Sequence, residues 1–239
     1  QLVVESADIV FLTVPDTVIE SLCESLAWRP GQAAVHCSGV HPVDVLSSAA
    51  RAGAYIGGFH PLQTFAGGPD ESELIADSTI AIEADGPLRT TLADLARSVG
   101  GRPIFLSAEN KPLYHASAVI ISNFVVTLAA IAAELWQSFD IPRDEALQAL
   151  LPLLAGAVAN LEQVGLPNAL TGPISRGDGA TVEHHLQSLA QIRPELVLLY
   201  RELGYKTLDL ALERGLDARS ADAIREVLAS ALGDVGVSN

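Results

Sequence analysis

The spacing of apolar residues changes once along this sequence, near residue 107, and that change constrains the fold more than any motif. Before it, short β-branched or apolar runs alternate with amphipathic stretches, the pattern of a doubly wound α/β layer. Asp8-Ile9-Val10-Phe11-Leu12-Thr13-Val14 predicts a strand, and Pro15-Asp16 opens an amphipathic stretch that reaches Ala27. A second strand is predicted over 33–38, a helix from Pro42 to Ala52, and a third strand over 54–59. Past a loop around Gly67-Gly68-Pro69, the segments 78–82 and 103–106 read as strands flanking a helix with Pro87 in its first turn. From Lys111 onward apolar residues recur at helical spacing only, in five segments broken near Pro142, Gly165-Leu166-Pro167, Pro194 and Gly215. The expectation is an α/β domain with a parallel sheet over 1–107, followed by an all-α domain over 108–239.

With 49% hydrophobic and 18% charged residues in 239, the chain has enough apolar surface for a substantial core and is not disordered. Its 29 acidic against 14 basic residues give a formal charge of −15, which repels a polyanion and argues against nucleic acid as a partner. Cys23 and Cys37 cannot build a disulfide framework, and no signal segment opens the sequence, so a cytoplasmic protein is expected. Ala116 to Ala133 approaches the length of a membrane span but carries Ser117, Ser122, Asn123 and Thr127. A helix buried in a domain or dimer core is expected there, with no membrane partner. There is no methionine and residue 1 is Gln, so the expectation is a piece of a longer gene product or a shortened chain.

Ligands of open parallel sheets bind beyond the carboxyl ends of the strands. That rule selects Thr13-Val14-Pro15-Asp16, His36-Cys37-Ser38-Gly39 and Phe59-His60-Pro61-Leu62. A serine able to donate a hydrogen bond and a histidine able to move a proton would share one rim. The alternatives are Ser38 as a cap or turn residue and His60 as a packing histidine before proline. Cys37 and His36 are neighbours on a strand and point to opposite faces, so they do not pair as nucleophile and base. The six histidines show no spacing typical of metal ligands, so no metal site is expected.

Ala7-Asp8-Ile9-Val10-Phe11-Leu12-Thr13-Val14-Pro15-Asp16 resembles the central strand of nucleotide-binding domains in the 6-phosphogluconate dehydrogenase-like superfamily, which includes prephenate dehydrogenase, pyrroline-5-carboxylate reductase and deazaflavin-dependent NADP reductase. His36-x-Ser38-Gly39, Gly58-Phe59-His60-Pro61-Leu62, Lys111-x-x-Tyr114-His115-Ala116 and Ala169-Leu170-Thr171-Gly172-Pro173-x-x-Arg176-Gly177-Asp178 resemble one branch of it: a Rossmann-like domain followed by a C-terminal domain of unknown function. The resemblance spans nearly the whole chain. It implies an NAD(P)-dependent oxidoreductase, with NADP or NAD as cofactor, that dimerises through its helical domain. In prephenate dehydrogenases a serine and a His-Pro histidine line substrate and nicotinamide, which points to Ser38 and His60. The wider superfamily adds a lysine and an asparagine on the first long helix, for which Lys111 and Asn123 stand nearest, although their spacing departs from the family pattern. Thr13, Val14, Pro15 and Ser38 would meet the cofactor.

Lys111, His115 and Ser122 form one polar stripe on an otherwise apolar helix, or else a solvated helix start. Thr171, Gly172 and Arg176 lie in a glycine-rich loop leading to His185, where Arg176 could hold a substrate carboxylate or phosphate. The alternative is a connector with Asp178 or Thr181 as helix cap. The superfamily's opening strand and Gly-x-Gly-x-x-Gly turn are missing from this sequence, so weak or absent NAD(P) binding by this chain alone is expected. The expected activity is hydride transfer between nicotinamide and a small, anionic carbonyl, imine or alcohol substrate. The rival reading is a non-catalytic small-molecule-binding or dimerisation module of the same fold.

Overall fold

The computed structural model describes residues 2–65, 67 and 71–230; Gly68 and Pro69 of the glycine-rich loop lie outside them. The first elements are helix α1 (Leu2–Ser6), strand β1 (Ile9–Leu12), helix α2 (Ile19–Ser25), strand β2 (Ala33–His36), helix α3 (Ser47–Arg51) and strand β3 (Tyr55–Leu62). Strand β4 (Thr79–Ala84), helix α4 (Gly86–Ser98) and strand β5 (Arg102–Phe105) complete the sheet. Helices α5 (Lys111–Ile121), α6 (Asn123–Leu135), α7 (Arg143–Val164), α8 (Gly179–Ile192), α9 (Leu196–Glu213) and α10 (Ala218–Ser230) follow. The Rossmann-like layer and the helical region expected from the sequence are both present.

The five strands lie in the order β1-β2-β3-β4-β5. The β1–β2, β2–β3 and β4–β5 pairs are parallel, but β3 and β4 run antiparallel, from Gly57 opposite Ala84 to Leu62 opposite Thr79. This departs from a wholly parallel sheet and changes the setting of one site residue. Strand β2 ends where His36 meets Gly58, while β4 carries β3 onward, so His60 is a strand residue and not part of a loop. Pro61 falls where β3 has a neighbour on one side only, a setting that tolerates proline.

Side chains alternate across the sheet. Val10, Leu12 and Ala34 pack against Ile19, Cys23, Leu46 and Ala49 on one face. Val35, Phe59, Ile80 and Ile82 pack against Leu88, Leu92 and Ala96 of α4 on the other. Helix α5 is broken from α6 at Ser122, whose hydroxyl donates back to the carbonyl of Ala118 at 2.7 Å.

The chain forms two compact units that divide between Thr127 and Leu128, twenty residues beyond the boundary expected from the change of pattern. The physical reason is Lys111, which ties the start of α5 to β4 through Glu83. In the second unit Val182, Leu186, Val197, Leu208, Ile224 and Leu228 form the core of α8, α9 and α10. Buried Arg201 donates to the carbonyl of Leu228 at 2.5 Å and so satisfies an acceptor at the end of α10.

Of the two settings expected for 116–133, a domain core or a dimer core, the structure excludes the first within a single chain. Ile121 is 69% and Val126 71% exposed, and on α7 Leu153 is 73% exposed. Ala108–Phe139 and Arg143–Val164 are long and apolar enough to cross a membrane by length and composition.

Candidate active site

The residues after β1 and β2 are tied together by one serine. The Ser38 hydroxyl donates to Asp16 Oδ2 at 2.7 Å and accepts from the amides of Val40 at 3.3 Å and His41 at 3.1 Å. Its one proton and both lone pairs are thereby used. Sequence reasoning assigned Ser38 to orient substrate and touch cofactor. The structure corrects this: Ser38 is buried, has no donor left, and shapes the turn that carries Gly39. Thr13, Val14 and Pro15 lie at the carboxyl end of β1 beside Asp16, with Thr13 and Pro15 exposed.

His36, at the end of β2, accepts the Ser38 amide on Nδ1 at 3.1 Å, which leaves the proton on Nε2. Burial, with Lys111 adding to it, lowers its pKa to about 4. The neighbouring Cys37 thiol is pushed up to about 11 by burial, so it is not a nucleophile at neutral pH.

His60 projects from the same face of β3 as Gly58. Its Nδ1 lies 2.9 Å from the Tyr114 hydroxyl, with the two rings edge to face at 5.6 Å. Its other edge packs on Gly39, where an added Cβ would stand 2.7 Å from His60 Nε2 and 3.0 Å from His115 Nδ1. That contact is why glycine follows Ser38. Burial lowers the pKa of His60 to about 4, and His115 and Lys111 add to the effect while Asp16 opposes it. His115 Nδ1 is buried without a hydrogen-bond partner.

Lys111 is the other correction. Its Nζ sits 2.8 Å from Glu83 Oε2 and donates to the carbonyl of His41, with the side chain 3% exposed. A Cβ on Gly58 would stand 3.1 Å from this nitrogen, so glycine clears the path across β3. A cation held this way positions the 38–41 turn.

A cavity of about 260 Å³ is lined by His60, His115, Ser122 and Asn123 together with Leu62, Gln63, Thr64, Phe65, Ala118 and Val119. It unites three of the predicted residues, His60, His115 and Asn123, and two members of the predicted polar stripe. A larger cavity of about 660 Å³ lies at the carboxyl ends of β4 and β5, between Tyr55, Asp44, Asp85 and Arg89. It contains none of the predicted residues.

The remaining candidates lie in the second unit. Arg176 and Thr171 are exposed, and Arg176 lines a cavity of about 290 Å³ with Ser175, Arg214, Leu216 and Asp217. The Gly172 carbonyl accepts from Ser175 Oγ at 2.9 Å, and His185 Nδ1 is 2.8 Å from the Tyr200 hydroxyl. Asp178 caps α8 by accepting from the Thr181 amide at 3.1 Å and hydroxyl at 2.7 Å, as the connector alternative requires. Among the described residues no group of three or more His, Cys, Asp or Glu is gathered as for a metal ion.

Sequence reasoning missed Tyr114, Asp16 and Glu83 as site residues. Tyr114 stands beside His115 in the Lys111-x-x-Tyr114-His115 motif, which was the available signal. Asp16 closes the first strand-end motif, whereas nothing local marks Glu83.

Residues 78–207 match the model of a family described as a domain of unknown function, DUF2520. The chain belongs to this family. No curated protein matches it in sequence. Among solved structures it is similar to protein TM1727 from Thermotoga maritima, at 25% identity and a TM-score of 0.72 over 94% of this chain and 79% of that one. It is also similar in fold to a 1-pyrroline-5-carboxylate reductase from Streptococcus pyogenes, at 15% identity and a TM-score of 0.56 over 97% and 78% of the two chains. A reductive aminase from Aspergillus terreus, in complex with NADPH and ethyl-5-oxohexanoate, gives 13% identity and a TM-score of 0.57 over 97% and 76%. What these structures share with the chain is the fold: the Rossmann-like layer and helical region expected from the sequence.

The two depressed imidazoles give a stability prediction. Between the ordinary value of 6.5 and about 4, an unfolded chain binds a proton at His36 and at His60 that the folded chain refuses. Stability is therefore expected to fall as pH drops through that window, on the order of 3 kcal/mol per group and less for His60 after solvent screening. Denaturant unfolding across the window checks this, and His60→Gln is expected to flatten part of the slope.

Proposed function

We propose that the chain is a nicotinamide-dependent oxidoreductase, using NADP or NAD, that reduces a small carbonyl or imine or runs the reverse oxidation. The observation that carries this reading is the gathering of His60, His115 and Asn123 on one small cavity beside the second half of β3, beyond the end of β2. It does so in a fold shared with a reductase and a reductive aminase that bears NADPH. His60 acts as the proton-transfer group, since an imidazole beside a hydroxyl both gives and takes protons. Asn123 and His115 orient the reacting group. Ser38, Asp16 and Lys111 hold the 38–41 turn against the imidazoles.

The cofactor would supply the hydride. Thr13, Val14 and Pro15, at the carboxyl end of β1, would meet its nicotinamide end. The described residues contain no glycine-rich strand-to-helix turn to hold the pyrophosphate, so binding by this chain alone is weak.

Consumption of NADPH or NADH with a panel of small 2-oxo acids, cyclic imines and ketones tests the reading. Cofactor oxidation that depends on one of these compounds is expected. If none turns over on folded protein, the non-catalytic binding module takes its place, a reading the saturated Ser38 hydroxyl also favours.

The apolar residues left exposed on α6 and α7, among them Val126, Leu153 and Val164, support a homodimer formed through the helical region. Sedimentation in detergent-free buffer is expected to give twice the 25.1 kDa chain mass. A monomer, or a chain extracted only by detergent, would contradict this.

A further inference from the structure

We propose that Tyr114 is the proton source behind His60: its hydroxyl passes a proton to Nδ1 while Nε2 releases one to the reacting oxygen or nitrogen. This rests on the reading of His60 as the proton-transfer group. The two residues meet at 2.9 Å with rings at 87°, which aims the phenol edge-on at the imidazole nitrogen. Of the other candidate donors, the Ser38 proton is on Asp16, Lys111 is held by Glu83 and the His41 carbonyl, and His115 flanks the Gly39 side, where Nε2 and not Nδ1 of His60 lies. The charged and titratable groups facing His60 are His115, Lys111 and Tyr114 from the α5 side and Asp16 from the turn after β1.

The protonation states make the relay useful. With its conjugate acid at about 4, His60 is an imidazolium in about one molecule in a thousand at neutral pH, so it is a poor lone acid. Burial pushes the Tyr114 hydroxyl up to about 12, so it keeps its proton at rest. It still yields that proton to a developing alkoxide, which is a stronger base than a phenolate.

In the step, the Tyr114 O–H bond breaks and an N–H forms at Nδ1, while the Nε2–H bond breaks and an O–H or N–H forms on the product. Imidazole is neutral before and after, with its tautomer exchanged. The hydride would come from reduced nicotinamide when it is bound. Afterwards Nε2 takes a proton from water and Nδ1 returns its own to the phenolate, so one water proton is consumed per turnover. Tyr114 is half-buried, which leaves the path open to solvent.

The test is Tyr114→Phe, which keeps the ring and removes the hydroxyl, alongside His60→Gln. Nitrogen NMR of His60 is expected to show a single tautomer with the proton on Nε2 in the wild type and a mixture in Tyr114→Phe. Turnover in Tyr114→Phe is expected to drop about a hundred-fold with KM nearly unchanged. Its rate should then rise as pH falls below neutral, because imidazolium becomes the only acid. A proton inventory in mixed light and heavy water should change from curved to linear. Tyr114→Phe with wild-type turnover, while His60→Gln is inactive, overturns the relay alone. Turnover surviving in both variants, or absent from the wild type, overturns the relay together with the reading of His60. A His60 tautomer that does not respond to loss of the Tyr114 hydroxyl also overturns it.

Discussion

His60→Gln is expected to lower turnover by about 10²–10⁴-fold, the range that a positioned general acid–base group contributes. Glutamine is close to histidine in size and keeps a polar atom near Tyr114, so the packing around Gly39 is largely retained. The loss should fall on kcat and kcat/KM alike, because the proton moves only as the transition state is reached. Steady-state kinetics on both proteins, with unfolding curves to show that the variant is folded, check the outcome. Equal turnover in the two would remove His60 from the chemistry and return it to a packing role on β3.

Lys111→Ala is expected to lower the unfolding free energy by about 3–5 kcal/mol, because it leaves a buried carboxylate without its counter-ion. The Lys111 and Glu83 side chains are only 3% and 11% exposed. The exposed Arg97–Asp94 pair makes the contrast: at the same 2.8 Å separation its side chains are 60% and 68% exposed, and it should contribute about 0–1 kcal/mol. Distance is equal in the two pairs, so burial decides the difference. The double variant Lys111→Met with Glu83→Gln should recover much of the loss, since no unpaired charge is then buried. It should not recover turnover fully, because the His41 carbonyl also loses its donor and the 38–41 turn its anchor. Denaturant unfolding and turnover assays of the two variants separate these effects. A single-variant loss below about 1 kcal/mol would contradict the argument from burial.

The strands were legible because each is a short apolar run ended by Pro, Gly or a polar residue, as in Asp8–Val14 and Ala33–Ser38. The reversal at β4 was not, because strand direction is set by pairing across the sheet and leaves no local signature in Ser78–Ile82. That reversal extends β3 through His60, so the strand-end rule found the right residue while misplacing its local structure. The His60–His115–Asn123 grouping was legible only in part: the helical stripe brought out His115, but the meeting of α5 with β3 is long-range. Ser38 was found by position and misassigned in role, since a hydroxyl's remaining capacity depends on Asp16, twenty-two residues away. Lys111 was taken for a reactive group because its partner Glu83 lies on another element.

The measurement that tests the central claim most directly is transfer of deuterium from the reactive carbon of a labelled reduced nicotinamide to a carbonyl or imine compound, read by mass spectrometry of the product. The account predicts labelled product with the wild-type protein and a rate cut about a hundred-fold or more in His60→Gln. Unlabelled product, no product with either cofactor, or equal labelling in the two proteins would contradict it.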